Sequence, residues 1–193
     1  WVNDKLVNIL IFKRTRYSFA TFRGYNNCDC SGNIHQAVRG KPIKTNTCSR
    51  EEYLRQLKSF HGSLAPGLII GGDMVNLALR SLPEEKLFDA ICETPLCLPD
   101  AIQLLTPCTI GNGWLTVLNF GRFAITLYEK YSGVGVRVYL DSAKLKKYSE
   151  VNSWYFKLKP KNEQDFQLLI NQIMEAEEQI LTMQHVRVQP ESL

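Results

Sequence analysis

The sequence has no apolar run long enough to cross a membrane. LVNILIF is too short, and LAPGLIIGGDMVNLAL is interrupted by glycine and aspartate. A signal-peptide pattern is also missing. We therefore expect a cytoplasmic protein that does not insert into a membrane. Because the chain begins with Trp1 rather than methionine, this expectation leaves export open.

Sequence motifs that would indicate a nucleotide-binding enzyme or a serine hydrolase are absent as well. No G-x-G-x-x-G follows a strand pattern, and the chain has neither a P-loop nor G-x-S-x-G. The formal net charge is only +4, and the basic residues are spread out apart from short runs in KLKKYSE and FKLKPK. We interpret those runs as a solvated surface and predict no binding to nucleic acid.

The hydrophobic and polar patterns that are present indicate an α+β protein. KLVNILIF, YSFATFRG and LFDAICE are strand candidates, and WLTVLNF, RFAITLYEK and GVGVRVYL predict three strands of an antiparallel meander. SREEYLRQLKSFHG, the segment from Pro66 to about Leu82, and PLCLPDAIQLLTP predict helices, and AKLKKYSEVNSWYFK is a further helix candidate. NEQDFQLLINQIMEAEEQILTMQ predicts a long C-terminal amphipathic helix, and HVRV a last strand.

The chain divides into an N-terminal part, residues 1–48, and an α+β core, residues 49–193, which together we expect to form one compact domain. Residues 24–47 read as a long ordered loop, a feature that is uncommon and often functional. In the core, Gly71 and Gly72 fall inside a predicted helix. Since glycine is costly there, two in succession indicate close packing against another backbone.

Candidate chemistry concentrates in CLPDAIQLLTPCTIGNG. On a helix, Cys97, Asp100 and Gln103 share one face, and Cys108 follows the helix end. Two thiols and a carboxylate suit a soft or borderline metal such as Zn²⁺, or a reactive-thiol pocket. The alternative is that both cysteines are small buried residues and that Asp100 caps the helix.

A second candidate is the CDC segment in the long loop. Cys28 and Cys30 can reach one ion together, with His35 as a further ligand. The alternative is a loop with free thiols or a disulfide to Cys48. By contrast, His185 reads as a surface or strand residue, and His61 alone is weak evidence for a ligand.

Taken together, FHGSLAPGLIIGGDM, CETPLCLPDAIQLLTPCTIGNGWL and GRFAITLYEK resemble the FmdE-like family, named after a component of formylmethanofuran dehydrogenase. The family pattern is F-H-G-H-x-C-P-G-L followed by C-x-x-D-[AG]-[IV]-Q-x-x-T-x-C-T-x-G-[KN]-G. The second motif is intact here, including Thr109. In the first motif, Ser63 replaces a histidine and Ala65 replaces a cysteine. From these residues we expect no zinc ribbon of the kind that often follows in the family.

The resemblance implies an α+β domain, commonly a homodimer, with a cysteine- and histidine-lined pocket that takes a metal. We expect Zn²⁺ or another transition metal, bound by His61, Cys97, Cys108, Cys28 and Cys30, with Asp100, Gln103, Thr109 and Ser63 around these ligands. In this hypothesis Cys28 and Cys30 replace the missing donors.

The resemblance also implies an accessory protein for molybdenum- or tungsten-dependent redox enzymes, with such an enzyme as a possible partner. Two alternatives stay open. One is a thiol-based redox enzyme that uses Cys97 or Cys108. The other is an interaction subunit whose metal site has decayed.

Overall fold

The structure is a computed structural model, and it describes residues 7–10, 50–83 and 87–189. Within these residues a sheet carries a layer of helices. The strands are β1 Val7–Leu10, β2 Phe88–Cys92, β3 Leu115–Val117, β4 Ala124–Glu129, β5 Val134–Leu140 and β6 Leu181–Gln189. The helices are α1 Arg50–His61, α2 Pro66–Arg80, α3 Leu98–Leu105, α4 Ser142–Leu145, α5 Ser149–Phe156 and α6 Phe166–Ala176.

The strand order is β1-β6-β5-β4-β2-β3. Strands β2, β4, β5 and β6 pair antiparallel, whereas β1 pairs with β6 and β3 with β2 in parallel. The α+β class is therefore confirmed. The expected YSFATFRG strand, the loop of residues 24–47, Cys48 and the rest of residues 11–49 lie outside the described residues.

The predicted three-strand meander is only partly right. Strands β4 and β5 form the hairpin, but β3 does not lie beside β4, because β2 stands between them. After β2 the chain passes through α3 and returns as β3 in the parallel direction, as a helical crossover requires. The next segment then crosses β2, with the Phe120 and Arg122 amides donating to the Glu93 carbonyl at 3.0 and 3.4 Å.

Helix α2 forms the centre of the helical layer. Its apolar residues pack against the inner face of the sheet, to which β4 and β5 contribute Leu127, Val136 and Val138. Burial of such side chains contributes roughly 25 cal/mol for each Å² of apolar area removed from water. Pro66 stands in the first turn of this helix and Gly62 follows α1, as their sequence positions indicate.

Gly71 and Gly72 bring three helices of the same chain together. A Cβ atom on Gly71 would lie 2.9 Å from Ala101 Cβ in α3, and one on Gly72 would lie 2.3 Å from the Tyr53 ring in α1. Close packing is thus found at both glycines, but against the side chains of Ala101 and Tyr53 and not, as expected, against another backbone. The space beside each glycine is occupied by residues of the same chain, so these glycines do not provide a surface for a second copy.

The C-terminal helix is shorter than its apolar periodicity indicates. Helix α6 is capped by Asp165, whose carboxylate accepts from the Leu168 amide, and it ends after Ala176 in a 3₁₀ turn, Glu177–Ile180. Residues 181–189 then form β6, which pairs with β5 and β1. Pairing of residues 181–184 with β5 outweighs the local helical pattern there. None of the helices in the described ranges has the length and apolar character to traverse a bilayer.

Candidate functional site

Three chain segments meet at the candidate site: the end of α1, the first turn of α2 and the first turn of α3. Gly62 ends α1 because it adopts φ +84°, and its amide donates to the Lys58 carbonyl at 3.0 Å. Ala65 is the residue immediately before α2, and Cys97 is the residue immediately before α3. The first family motif and the start of the second are therefore adjacent in space.

His61 and Asp100 form the strongest polar contact of this site. Nδ1 of His61 lies 2.6 Å from Oδ2 of Asp100, and the two side chains are 25% and 32% exposed. A carboxylate can only accept a hydrogen bond, so Nδ1 carries the proton in this pair. For neutral His61 this fixes the tautomer and leaves Nε2 with its lone pair available to a ligand.

Cys97 stands in an unusual backbone conformation. Its φ is 49° and its ψ is −47°, and the Leu98 amide donates to the Leu96 carbonyl across it. This is a γ-turn with positive φ, a rare and strained arrangement for a residue with a side chain. Because strained residues cluster at functional sites, the turn singles out Cys97 among the described cysteines.

The Cys97 side chain packs against the start of α2. A Cβ on Gly67 would lie 3.2 Å from Cys97 Cβ and 3.3 Å from Cζ of Phe123, so the glycine makes room for both. The Phe123 ring in turn meets Trp154 edge-on, with ring centroids 6.5 Å apart. Burial raises the pKa of the Cys97 thiol, and the nearby Asp100 charge raises it further.

Cys108 lies at the other end of α3. An eight-residue helix spans about 12 Å, so Cys97 and Cys108 do not approach each other. The Cys108 thiol is fully buried and donates to the Phe88 carbonyl at 3.4 Å. Burial raises its pKa to about 12. These surroundings are those of a packed small residue, which was the alternative interpretation of this cysteine.

Gln103 and Thr109 hold the loop that follows α3. The Gln103 carboxamide oxygen accepts from the Ile110 amide at 3.2 Å, and Oγ1 of Thr109 accepts from the Asn112 amide at 3.1 Å. Asn112 in turn accepts from the Thr109 and Trp114 amides and donates to the Pro107 carbonyl. Both predicted pocket residues thus stabilise the end of α3 that is remote from His61.

The remaining predicted ligands are not brought together by the described residues. Ser63 is exposed in the short loop after α1, close in sequence to His61. Cys28 and Cys30 lie outside the described residues. In the part of the chain that the structure describes, no three His, Cys, Asp or Glu side chains converge as a group that could hold a metal ion.

Sequence reasoning missed the aromatic side of the site. Phe123 and Trp154 are 31 positions apart, and neither belongs to the motif segments that carry ligands. Only the pairing of β4 in the sheet and the packing of α5 bring these two rings together, with the Phe123 ring beside Gly67. No local pattern around either residue indicates that contact.

Comparison with known proteins identifies the family. The sequence model described as "FmdE, Molybdenum formylmethanofuran dehydrogenase operon" matches residues 60–188. The chain belongs to the FmdE family. The matched region starts at the FHG motif and ends in β6, and it contains the His61–Asp100 pair and the whole of α3.

A solved FmdE-family structure resembles the chain closely. It is an FmdE-like protein of the tungsten formylmethanofuran dehydrogenase type from Syntrophus aciditrophicus, 49% identical, with a TM-score of 0.68 and coverage of 78% of each chain. A curated relative from Archaeoglobus fulgidus, named "Probable S-adenosyl-L-methionine-binding protein", is 34% identical over 103 residues. That match takes in 49% of this chain but only 28% of the relative's length.

Proposed function

We propose that this FmdE-family chain is a metal-binding accessory protein that serves redox metalloenzymes of the molybdenum or tungsten type. The observation that carries the proposal is the 2.6 Å contact between Nδ1 of His61 and Oδ2 of Asp100. A histidine that binds a metal through one ring nitrogen usually donates a hydrogen bond from the other to a carboxylate or carbonyl. His61 is held in that way, with Nε2 available.

The proposed ligands begin with His61 Nε2 and the thiolate of Cys97. Nitrogen and sulfur donors favour Zn²⁺, which needs four ligands in a closed structural site. The described residues alone do not fit a closed zinc site, since they offer these two donors and no converging group of three. In the proposal, Cys28 and Cys30 supply the missing thiolates. Cys108 is omitted, because it is buried at the far end of α3.

A zinc ion bound in such a closed site would keep its cysteine ligands deprotonated and hold together the segments that carry them. The chain's own contribution would be orientation. Asp100 fixes the imidazole, and the γ-turn fixes Cys97 at the start of α3. Since thiol ligands must lose their protons to bind, metal affinity should fall as the pH is lowered.

The test is the metal content of protein purified without added metal, measured by mass spectrometry. We expect about one zinc ion per protein chain. This ion should be lost in His61→Ala and in the double variant Cys28→Ser, Cys30→Ser. Adding Ser63→His and Ala65→Cys to that double variant should restore binding, because these are the donors of the family motif. Cys108→Ala is the matched control and should keep its metal.

Two results would reject this assignment. Full metal content in the double serine variant would exclude the loop cysteines as ligands. A metal-free parent protein that also fails to take up added Zn²⁺ would favour the interaction subunit with a decayed site. The thiol-enzyme alternative is weakened for Cys108, because a buried thiol with a pKa of about 12 is a poor nucleophile at neutral pH.

A second candidate ligand is S-adenosylmethionine, after the printed name of the Archaeoglobus relative. The observation that favours it is the Phe123–Trp154 aromatic pair beside Gly67 and Cys97, since an adenine ring stacks on such side chains and a sulfonium is attracted to the Asp100 carboxylate. Calorimetric titration would test this. Binding that is lost in Phe123→Ala but unaffected by chelators would support it over the metal.

A further inference from the structure

The α4–α5 segment carries a concentration of positive charge that takes no part in the proposed metal site. Residues 142–161 contain six lysines and one glutamate, a formal charge of +5, while the whole chain carries only +4. All six lysines are exposed, and the segment is anchored to the core by the buried residues Leu145, Tyr148 and Val151.

The structure brings the two basic runs together. Lys159 Nζ forms an ion pair with Glu150, in the first turn of α5, so this side chain reaches the end of the helix that follows Lys146 and Lys147 in the chain. Among the six lysines, only Lys159 has a carboxylate within 4.0 Å in the described part of the chain. The remaining positive charge is therefore largely uncompensated within the described residues.

Two large apolar side chains lie among these lysines. Phe156 is 47% exposed and Leu158 is 63% exposed, and Lys157 stands between them. Exposed apolar side chains grouped together and rimmed by charged residues mark a surface that meets another protein or a membrane. We call Lys146, Lys147, Lys157, Lys159 and Lys161, with Phe156 and Leu158, the lysine surface.

Lys157 provides an independent indication. It ends α5 in the left-handed conformation, with φ 54° and ψ 41°, and the Leu158 amide closes the turn on the Ser153 carbonyl at 2.9 Å. Glycine is the usual residue at such a position because it has no Cβ penalty. A lysine there goes against the local preference and makes no ion pair with the described residues, which indicates that the charge itself is used.

We propose that the lysine surface docks an acidic surface of a partner protein. Nucleic acid fits less well, because residues 142–161 contain no arginine, the residue best suited to bind phosphates and base edges. An anionic membrane would attract the same lysines, so phosphatidylglycerol vesicles are included in the test as the competing class of partner. The proposal does not depend on the metal site.

The test uses a fluorescein-labelled 18-residue peptide of glutamates interspersed with leucine and phenylalanine. Anisotropy is followed at low and physiological salt, with a glutamine-for-glutamate peptide, 25-base-pair duplex DNA and phosphatidylglycerol vesicles as competitors. We expect the acidic peptide to bind, with an affinity that falls as salt rises, and the neutral peptide to bind far more weakly.

Three variants locate the binding site. Lys146→Glu should weaken peptide binding about fivefold to tenfold. Lys157→Gly should weaken it severalfold while leaving the melting temperature unchanged or higher, because glycine suits the left-handed turn. Lys58→Glu, which makes the same charge change on exposed α1, is the matched control and should have little effect.

The proposal is overturned if the acidic peptide does not bind at millimolar concentration, or if Lys58→Glu weakens binding as much as Lys146→Glu does. It is also overturned if duplex DNA or vesicles bind more tightly than the peptide, since the lysines would then serve a different class of partner. It is overturned as well if Lys157→Gly binds the peptide as tightly as the parent does, since the central lysine of the surface would then make no contact with the partner.

Discussion

Nδ1 of His61 lies 2.6 Å from Oδ2 of Asp100, although the two residues are 39 positions apart in the chain. One belongs to the last turn of α1 and the other to the first turn of α3. The contact joins the two family motifs, of which the first has lost two donors and the second is intact. It fixes the imidazole of His61, the first ligand of the proposed metal site.

Asp100→Asn should therefore lower zinc affinity about 10- to 100-fold, because the asparagine still occupies the position but no longer supplies the negative charge that polarises His61. Affinity is measured by competition with a chromogenic chelator, and folding by thermal melting, which should change little. Asp165→Asn, at the cap of α6, is the control. Equal affinity in Asp100→Asn and the parent would mean that the Asp100 charge does not support a metal ligand.

Gly72→Ala should destabilise the fold by about 1–3 kcal/mol. The new Cβ would lie 2.3 Å from the Tyr53 ring, which is buried and whose hydroxyl donates to the Leu68 carbonyl at 2.9 Å. The ring cannot move away without losing that hydrogen bond. The free-energy cost of displacing the ring exceeds the gain of roughly 1 kcal/mol that alanine brings to a helix interior.

Urea unfolding measures that effect. Gly111→Ala is the control, because its nearest neighbour would be an ordinary contact at 3.9 Å. In a Tyr53→Ala background the Gly72→Ala cost should disappear. If it persists there, the strain comes from another source than the ring.

Alkaline pH should reduce the free energy of unfolding through the buried thiols. The pKa of Cys92 and of Cys108 is raised by burial from 9.0 to about 12. Below pH 9 both thiols are protonated in the folded and the unfolded chain, so their contribution is fully present. Between pH 9 and 12 only the unfolded chain loses these protons, so stability falls by about 1.4 kcal/mol per pH unit for each thiol.

Other groups titrate in the same range, so the decisive quantity is the difference between variants. Urea unfolding at pH 8.5 and 10.5 should show a smaller loss for Cys108→Ala than for the parent. Identical losses in the two proteins would mean that Cys108 ionises in the folded state as readily as in the unfolded one.

We predict a homodimer at micromolar concentration, as the family resemblance implies. Since Gly71 and Gly72 are filled by Ala101 and Tyr53, the dimer must use another surface. The candidate interface residues are Phe60 and Leu96, which are 56% and 67% exposed and directly precede His61 and Cys97. Replacing both with serine should shift sedimentation towards monomer.

Tyr131→Ser, at a side chain that is 80% exposed, is the control for loss of an exposed aromatic group and should leave the association unchanged. A parent protein that sediments only as a monomer at micromolar concentration would contradict the prediction. A dimer that persists in the double serine variant would place the interface elsewhere.

The sequence by itself determined the helices around the site and the family. Gly62, Pro66 and Pro99 act within one turn of their own positions, so the boundaries they mark do not depend on the rest of the chain. The strands of the β4–β5 hairpin were also readable, because a short turn leaves adjacent strands little choice but to pair. The FHG and C-x-x-D-A-I-Q motifs likewise identified the FmdE family from consecutive residues.

The tertiary structure decided which of these local elements meet. Strand β2 lies between β3 and β4, and residues 181–184 continue a helical pattern but form a strand, because pairing with distant partners outweighs local preference. Tertiary packing also decided which residues meet at the site. Spacing put Cys97, Asp100 and Cys108 into one motif, but the length of α3 separates the two thiols. The packing of α1 instead brings His61 to Asp100.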